Sequence, residues 1–239
     1  MIRINKYLSI CGVTSRRGAE QLIKQRKVTI NDLTVEALGT LVNEAEDMVK
    51  IDGTEVKPVS KQVYIILNKP KNVLTTLFDP FRRKTVLYYL KNLKTRVYPV
   101  GRLDFDTDGV LLMTNDGELA YRLAHPKYKV KKVYRAFVPG IFTPEDAKKI
   151  SDGIRLCDGH IGRAEVKILR SGMKSSKVLL ILTEGHKREV KQLLKAVGHP
   201  VRDLCRIEFA GLRSVHIKPG RWRYLNHNEI KNLKKLVGL

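Results

Sequence analysis

Residues 99–117 read PVGRLDFDTDGVLLMTNDG, with Asp104, Asp106 and Asp108 on alternate positions just ahead of an apolar run. Carboxylates in that spacing admit four readings. The spelling Asp-x-Asp-x-Asp-Gly matches the first half of a calcium loop, whose twelfth position should supply a two-pronged Glu. Here that position is Asn115, and the preceding VYPVGR reads as strand and turn where a calcium hand has a helix. A solvated turn decorated with acids is the second reading. A two-metal nuclease is the third, and it requires further carboxylates converging from elsewhere in the chain. The fourth starts from Asp104 and Arg102, which share one face if the segment is extended, while Leu103 takes the other. An aspartate is ionised at neutral pH, so it suits the part of nucleophile or base and not that of acid. Such a carboxylate can attack an anomeric carbon and hold a sugar covalently with no metal and no cofactor.

Other metal or redox chemistry finds little support. His125, His160, His186, His199, His216 and His227 show no metal-like spacing and read as structural or surface groups. Cys11, Cys157 and Cys205 are odd in number and far apart, which fits a reducing compartment and gives no disulfide framework. The expectation is a site with neither metal nor cofactor.

The elements that must position Asp104 come next. Strand patterns recur at residues 63–67, 97–100, 110–114, 133–138, 164–169, 178–182, near 201–207 and at 222–225. Helical patterns fall at 118–124 after the turn Asn115-Asp116-Gly117, after Thr143-Pro144, at 187–197 before Gly198, and at 229–236. The helices are too few and too irregular for strict alternation, so the fold class predicted is α+β: a mixed, largely antiparallel sheet with flanking helices. Ahead of it stands a small unit. Residues 4–11 predict a short helix ended by Gly12, and Thr14 or Ser15 caps a second with Ala19, Leu22 and Ile23 on its apolar face. VTI and MVKID follow as short strands, with Asn31-Asp32 and Asp52-Gly53 as turns. PVSKQ (58–62) is the linker, which divides the chain into 1–59 and 60–239.

A net charge of +22 on 239 residues exceeds what solubility requires and has the sign that gathers polyanions, so nucleic acid is the leading partner. Residues 1–60 hold nine basic and eight acidic side chains, which leaves almost the whole excess to the larger unit. The small unit is still polarised: Arg3, Lys6, Arg16, Arg17, Lys24, Arg26 and Lys27 face only Glu20 in its first 27 residues. In the larger unit Lys127, Lys129, Lys131 and Lys132, then Arg82 to Lys84, then Arg221 with Arg223, read either as solvated faces or as phosphate contacts. The opening MIRINKYLSICG lacks a signal peptide's apolar stretch and no run suffices for a membrane span, so a soluble, cytoplasmic chain is expected. Nothing in the patterning predicts a dimer seam, and a monomer is expected.

GRLDFDTDGVLLMTNDG closely resembles the signature of ribosomal RNA pseudouridine synthases of the RsuA/RluB type. LNKP (67–70) resembles that family's first motif, KKVYRAFV (131–138) its tyrosine segment and EGHKREVKQLLKAVGHPV (184–201) its basic segment, all in the family's order. YLSICGVTSRRGAEQLIKQRKVTIND is similar to a small RNA-binding domain shared with a ribosomal small-subunit protein. The resemblance implies an RNA-binding domain over 1–59 and a catalytic domain over 60–239. It implies Asp104 as the essential aspartate, Tyr134 as the tyrosine that packs on the target base, and Lys191 as the basic partner of the aspartate. Arg102 would lie beside the displaced nucleotide, and Arg16, Arg17, Lys24 and Lys27 would contact RNA as positioning groups. The family usually carries Arg where Lys191 stands, and lysine lacks arginine's planar two-pronged donor. It usually carries a Gly in the segment after LNKP, where this chain has Lys71-Asn72-Val73.

The implied reaction breaks the bond from sugar to base nitrogen, turns the base and bonds a ring carbon to the same sugar carbon, through an ester or a glycal. The base must leave its stack, at a few kcal/mol, and be gripped by an aromatic face. GELAYRLAHPKYKVKKVY favours a uridine of large-subunit ribosomal RNA, free or in an assembly intermediate. Small-subunit RNA and a non-catalytic, RNA-binding assembly factor stand as alternatives.

Overall fold

The computed structural model describes all 239 residues, as two compact units, Met1–Val63 and Tyr64–Leu239. In the first unit Ile4–Ile10 and Arg16–Lys24 are helices, and the Ser15 hydroxyl caps the second by accepting from the Gly18 amide at 3.0 Å. Leu8, Ala19 and Ile23 bury against Val28, Val42 and Val49. Val28–Ile30 pairs antiparallel with Leu33–Thr34 and with Val49–Ile51. Asn31, Asp32, Asp52 and Gly53 all take positive φ, the conformation that tight hairpins demand.

The second unit is built on a mixed sheet of nine strands. Its strands fall into two antiparallel halves. In one, Tyr64–Lys69 lies between Asp108–Thr114 and Trp222–Tyr224. In the other, Lys132–Pro139 lies between Ser175–Leu182 and Asp203–Phe209, with Glu165–Arg170 on the outer edge. Each half has its own core. Ile66, Val110 and Leu112 pack with Leu119, Leu123 and Leu233 of the helices Gly117–Ala124 and His227–Leu236. Ala136, Val178 and Leu180 pack with Ile150 and Leu193 of the helices Pro144–Asp152 and Glu189–Ala196.

The halves meet at a two-residue parallel junction, where Cys205 and Arg206 stand opposite Asp108 and Gly109. Gly109 is obligatory there: its φ is 109° and a Cβ would lie 2.2 Å from the Arg206 carbonyl oxygen. The helices end and begin where local chemistry directs. Thr143 with Asp146 and Asn226 with Glu229 form reciprocal capping boxes. No helix is long and apolar enough to cross a membrane.

Candidate functional site

The carboxylates of residues 104–108 precede the strand Asp108–Thr114 and sit at the junction of the two half-sheets. The loop that carries them is fastened by its backbone. Lys69, the last residue of Tyr64–Lys69, is wholly buried, and its ammonium donates to the carbonyls of Pro70 (3.0 Å), Asp104 (3.0 Å) and Thr107 (2.8 Å). The Thr75 hydroxyl donates to the Leu103 carbonyl at 2.6 Å, and the Asn72 amide to that of Phe105 at 2.7 Å. The LNKP segment is therefore a brace for the aspartate loop. Burial pushes Lys69 down to about 8, against the attraction of Asp108, Asp104 and Asp106.

With its backbone held, Asp104 turns a partly exposed carboxylate, 37% accessible, into a cleft of about 140 Å³. Arg102, Lys132, Tyr134, Arg188, Lys191 and Arg206 line the same cleft. Leu103 is buried and Arg102 exposed, as alternation requires. Lys191, on the first turn of Glu189–Ala196, places Nζ 3.4 Å from Asp104 Oδ2 and makes a shorter bond to Asp106 Oδ1. Burial works to raise Asp106, but the hydrogen bond and charge of Lys191 outweigh it and hold the carboxyl below its usual range. The lysine thus bridges two carboxylates where a single partner was expected.

Tyr134 and Lys132 share one face of Lys132–Pro139, and a bulge between Val133 and Tyr134 shifts the register against Asp203–Phe209. Tyr134 is half-buried, packed against the second core and lining the cleft. Lys132 departs from both readings of its cluster, the solvated face and the phosphate contact. It is buried, donates to the carbonyls of Val130 (3.0 Å) and Thr183 (3.2 Å), and burial, with Arg206 nearby, lowers it to about 8.

Arg206 escaped the sequence reading altogether. Only 2% exposed, it donates from Nε to the Val110 carbonyl at 2.9 Å and stacks over Phe209 at 4.7 Å, while Nη2 is buried without a hydrogen-bond partner. The one available signal was its place two residues after Leu204 in the strand pattern near 201–207, on the face that Leu204 buries.

The calcium-hand reading of the aspartate triplet loses its basis. The residues before it are the short strand Tyr98–Pro99 and a loop, as VYPVGR suggested, so no helix enters as in a calcium hand. Two of the three carboxylates are engaged by the Lys191 ammonium, which takes the place between them. The basic clusters divide. Arg83 is tied to Asp79 at 2.6 Å and Arg223 to Glu229 through two bonds of 2.7 and 2.8 Å, so these arginines are partly neutralised within the protein. In the first unit Arg16, Arg17 and Lys24 project from the second helix into solvent, and Lys27 faces Asp52 at 3.5 Å. Among the histidines, which the sequence reads as structural or surface groups, His160 and His186 stack with ring centroids 3.7 Å apart, and His199 meets Asp146 at 3.2 Å.

The braced aspartate thus stands in a basic cleft that Tyr134 also lines, on a mixed sheet that follows a separate two-helix unit. Residues 63–196 match the RNA pseudouridylate synthase family and residues 2–49 the S4 domain, an RNA-binding module. The chain belongs to the RNA pseudouridylate synthase family and is an isomerase, a pseudouridine synthase. Among its relatives, an RNA pseudouridine synthase of Aquifex aeolicus (strain VF5) is 45% identical over 239 residues, spanning 100% of this chain and 96% of that protein. The ribosomal large subunit pseudouridine synthase B of Bacillus subtilis (strain 168) is 41% identical over 99% of this chain and 97% of its own length. A crystal structure of a pseudouridylate synthase shares the fold, with a TM-score of 0.71 and 24% identity over 98% of this chain and 100% of that one.

Proposed function

We propose that the enzyme isomerises a specific uridine of large-subunit ribosomal RNA, with Asp104 as the catalytic carboxylate and without metal or cofactor. The observation that carries this reading is the Asp104 carboxylate, braced through Lys69 and facing a cleft lined by cations and one tyrosine. The choice of large-subunit RNA follows the 41% identical relative whose name specifies that subunit.

The reaction needs no added reagent. The bond from N1 to C1′ breaks and the bond from C5 to C1′ forms; the C5 proton leaves and N1 ends protonated. Asp104 either attacks C1′, making an ester that C5 later displaces, or takes a ribose proton on the way to a glycal. In both routes the detached uracil carries negative charge. Lys191, Arg102 and the buried Arg206 and Lys132 supply a field that opposes its escape, and such fixed charges act strongly in a partly dehydrated site. Tyr134 offers the ring face on which the loose base stacks, worth about 1 to 3 kcal/mol. Arg16, Arg17, Lys24 and Lys27 of the S4 domain serve as phosphate contacts that set register. The compartment is the cytoplasm, where ribosomal RNA precursors are met as free RNA or assembly intermediates.

Mapping pseudouridines across ribosomal RNA from cells with and without the gene tests the target, and one large-subunit position should revert to uridine on deletion. Complementation with Asp104→Asn tests the chemistry. Restoration of the modification by that variant would remove Asp104 from the mechanism, and a lost small-subunit position would redirect the substrate.

A further inference from the structure

Beside the cleft, the turn 156–160 of the hairpin Ile154–Arg155/Ile161–Gly162 meets the loop that follows Ser175–Leu182. Three donor atoms converge there. His160 Nε2 lies 3.1 Å from Glu184 Oε2, and His186 Nε2 lies 3.5 Å from the same oxygen. The imidazoles stack with 18° between their planes, and the three ligand atoms all fall within 4.8 Å of one another. We propose that His160, Glu184 and His186 form a binding site for a first-row divalent metal ion, zinc above all, at the rim of the cleft.

The spacing of the donor atoms suits the ion. Bonds of about 2.0 to 2.1 Å in a tetrahedron separate ligand atoms by about 3.3 Å, between the two observed distances. Two imidazoles and one carboxylate with an open fourth position are a donor set zinc takes in proteins. Asp158 supplies the outer support. Its Oδ2 stands 3.6 Å from His186 Nδ1, where it favours the proton on that nitrogen and leaves Nε2 free to ligate.

Both backbones are held independently of any ion. The Cys157 amide donates to Gln192 Oε1 at 2.9 Å, the His160 amide to Asp158 Oδ1 at 3.1 Å and the His186 amide to Glu189 Oε2 at 2.8 Å. A shared divalent ion would clamp the hairpin turn to the loop that leads into Arg188 and Lys191, so its role is to hold the rim. His160 does not line the cleft, and the isomerisation assigns it no step.

The test uses the full-length protein stripped with a chelator and dialysed. Titration with Co2+ should give one equivalent of visible ligand-field absorption, and Zn2+ should displace it and raise Tm. His160→Ala, and separately Glu184→Gln, should weaken Zn2+ binding by at least the roughly 10- to 100-fold that loss of an outer-shell partner costs. His125→Ala and Cys157→Ser should bind as the parent does, and circular dichroism checks that each variant is folded. Absence of saturable one-to-one binding overturns the proposal. So does binding that survives in folded His160→Ala and Glu184→Gln, or binding lost in Cys157→Ser, which would mean a different donor set.

Discussion

Lys69→Met removes the brace under Asp104 while keeping a stem of similar length, and its consequence can be worked from the contacts. Three hydrogen bonds from a charged donor disappear, those to Pro70, Asp104 and Thr107. At about 1.5 to 3 kcal/mol each, the gross loss is about 5 to 9 kcal/mol. Against this, burial lowers the ammonium from 10.5 to about 8, a penalty on the order of 3 kcal/mol that the variant escapes. The net destabilisation at pH 7 is about 2 to 6 kcal/mol. Urea unfolding followed by the fluorescence of Trp222, the single tryptophan, measures it.

The pH dependence has a defined sign. Between about 8 and 10.5 the unfolded chain holds the Lys69 proton while the folded site has released it. The penalty is complete below that window, so this residue's contribution to stability rises with pH across it. The stability difference between wild type and Lys69→Met should therefore widen by about 3 kcal/mol from pH 8 to 10.5. Lys132 titrates in both proteins and cancels. Catalysis should suffer more than binding, because a carboxylate displaced by about 1 Å costs on the order of 100-fold. Release of tritium from C5-labelled uridine in RNA reads kcat directly. A folded Lys69→Met with kcat within about threefold of wild type, or a stability difference flat across the pH window, would refute the brace.

Lys191→Gln should lower kcat by about 100-fold with little change in KM, since one hydrogen-bond donor aimed at reacting charge carries that much, and Lys191→Arg should recover most of it. Equal loss in both variants would mean that shape, not charge, matters at this position. Gly109→Ala should cost at least about 3 kcal/mol, because its Cβ has no room beside the Arg206 carbonyl. Gly140→Ala, at a positive φ but in open space, should cost only about 1 to 2 kcal/mol, and a comparable loss at both sites in urea unfolding would count against the junction argument. RNA affinity should fall steeply with salt, and the double variant Arg16→Ala with Arg17→Ala should flatten the logarithmic slope by about 1.4 to 1.8. An unchanged slope in filter-binding titrations would remove that helix from the RNA contacts.

Local chemistry wrote much of this protein into its sequence. Caps at Ser15 and Thr143, paired positive-φ residues at Asn31-Asp32 and Asp52-Gly53, and alternating apolar runs act over a few residues, so they predict elements wherever the chain goes. The same holds for Leu103 inward and Arg102 outward around Asp104, which alternation alone requires.

Tertiary structure decided what depends on approach between distant segments. A charged residue ending a strand reads as solvent-facing, yet Lys69 and Lys132 are buried because backbone carbonyls of other segments await their ammonium groups. Arg206 is buried at the parallel junction that only Gly109 permits, and Lys191 reaches two carboxylates instead of one. His160 and His186 share no motif spacing, and only the meeting of a hairpin turn with a strand-end loop stacks them. Pattern and propensity decay within a helical turn or a hairpin, whereas burial and ion pairing are properties of the assembled sheet.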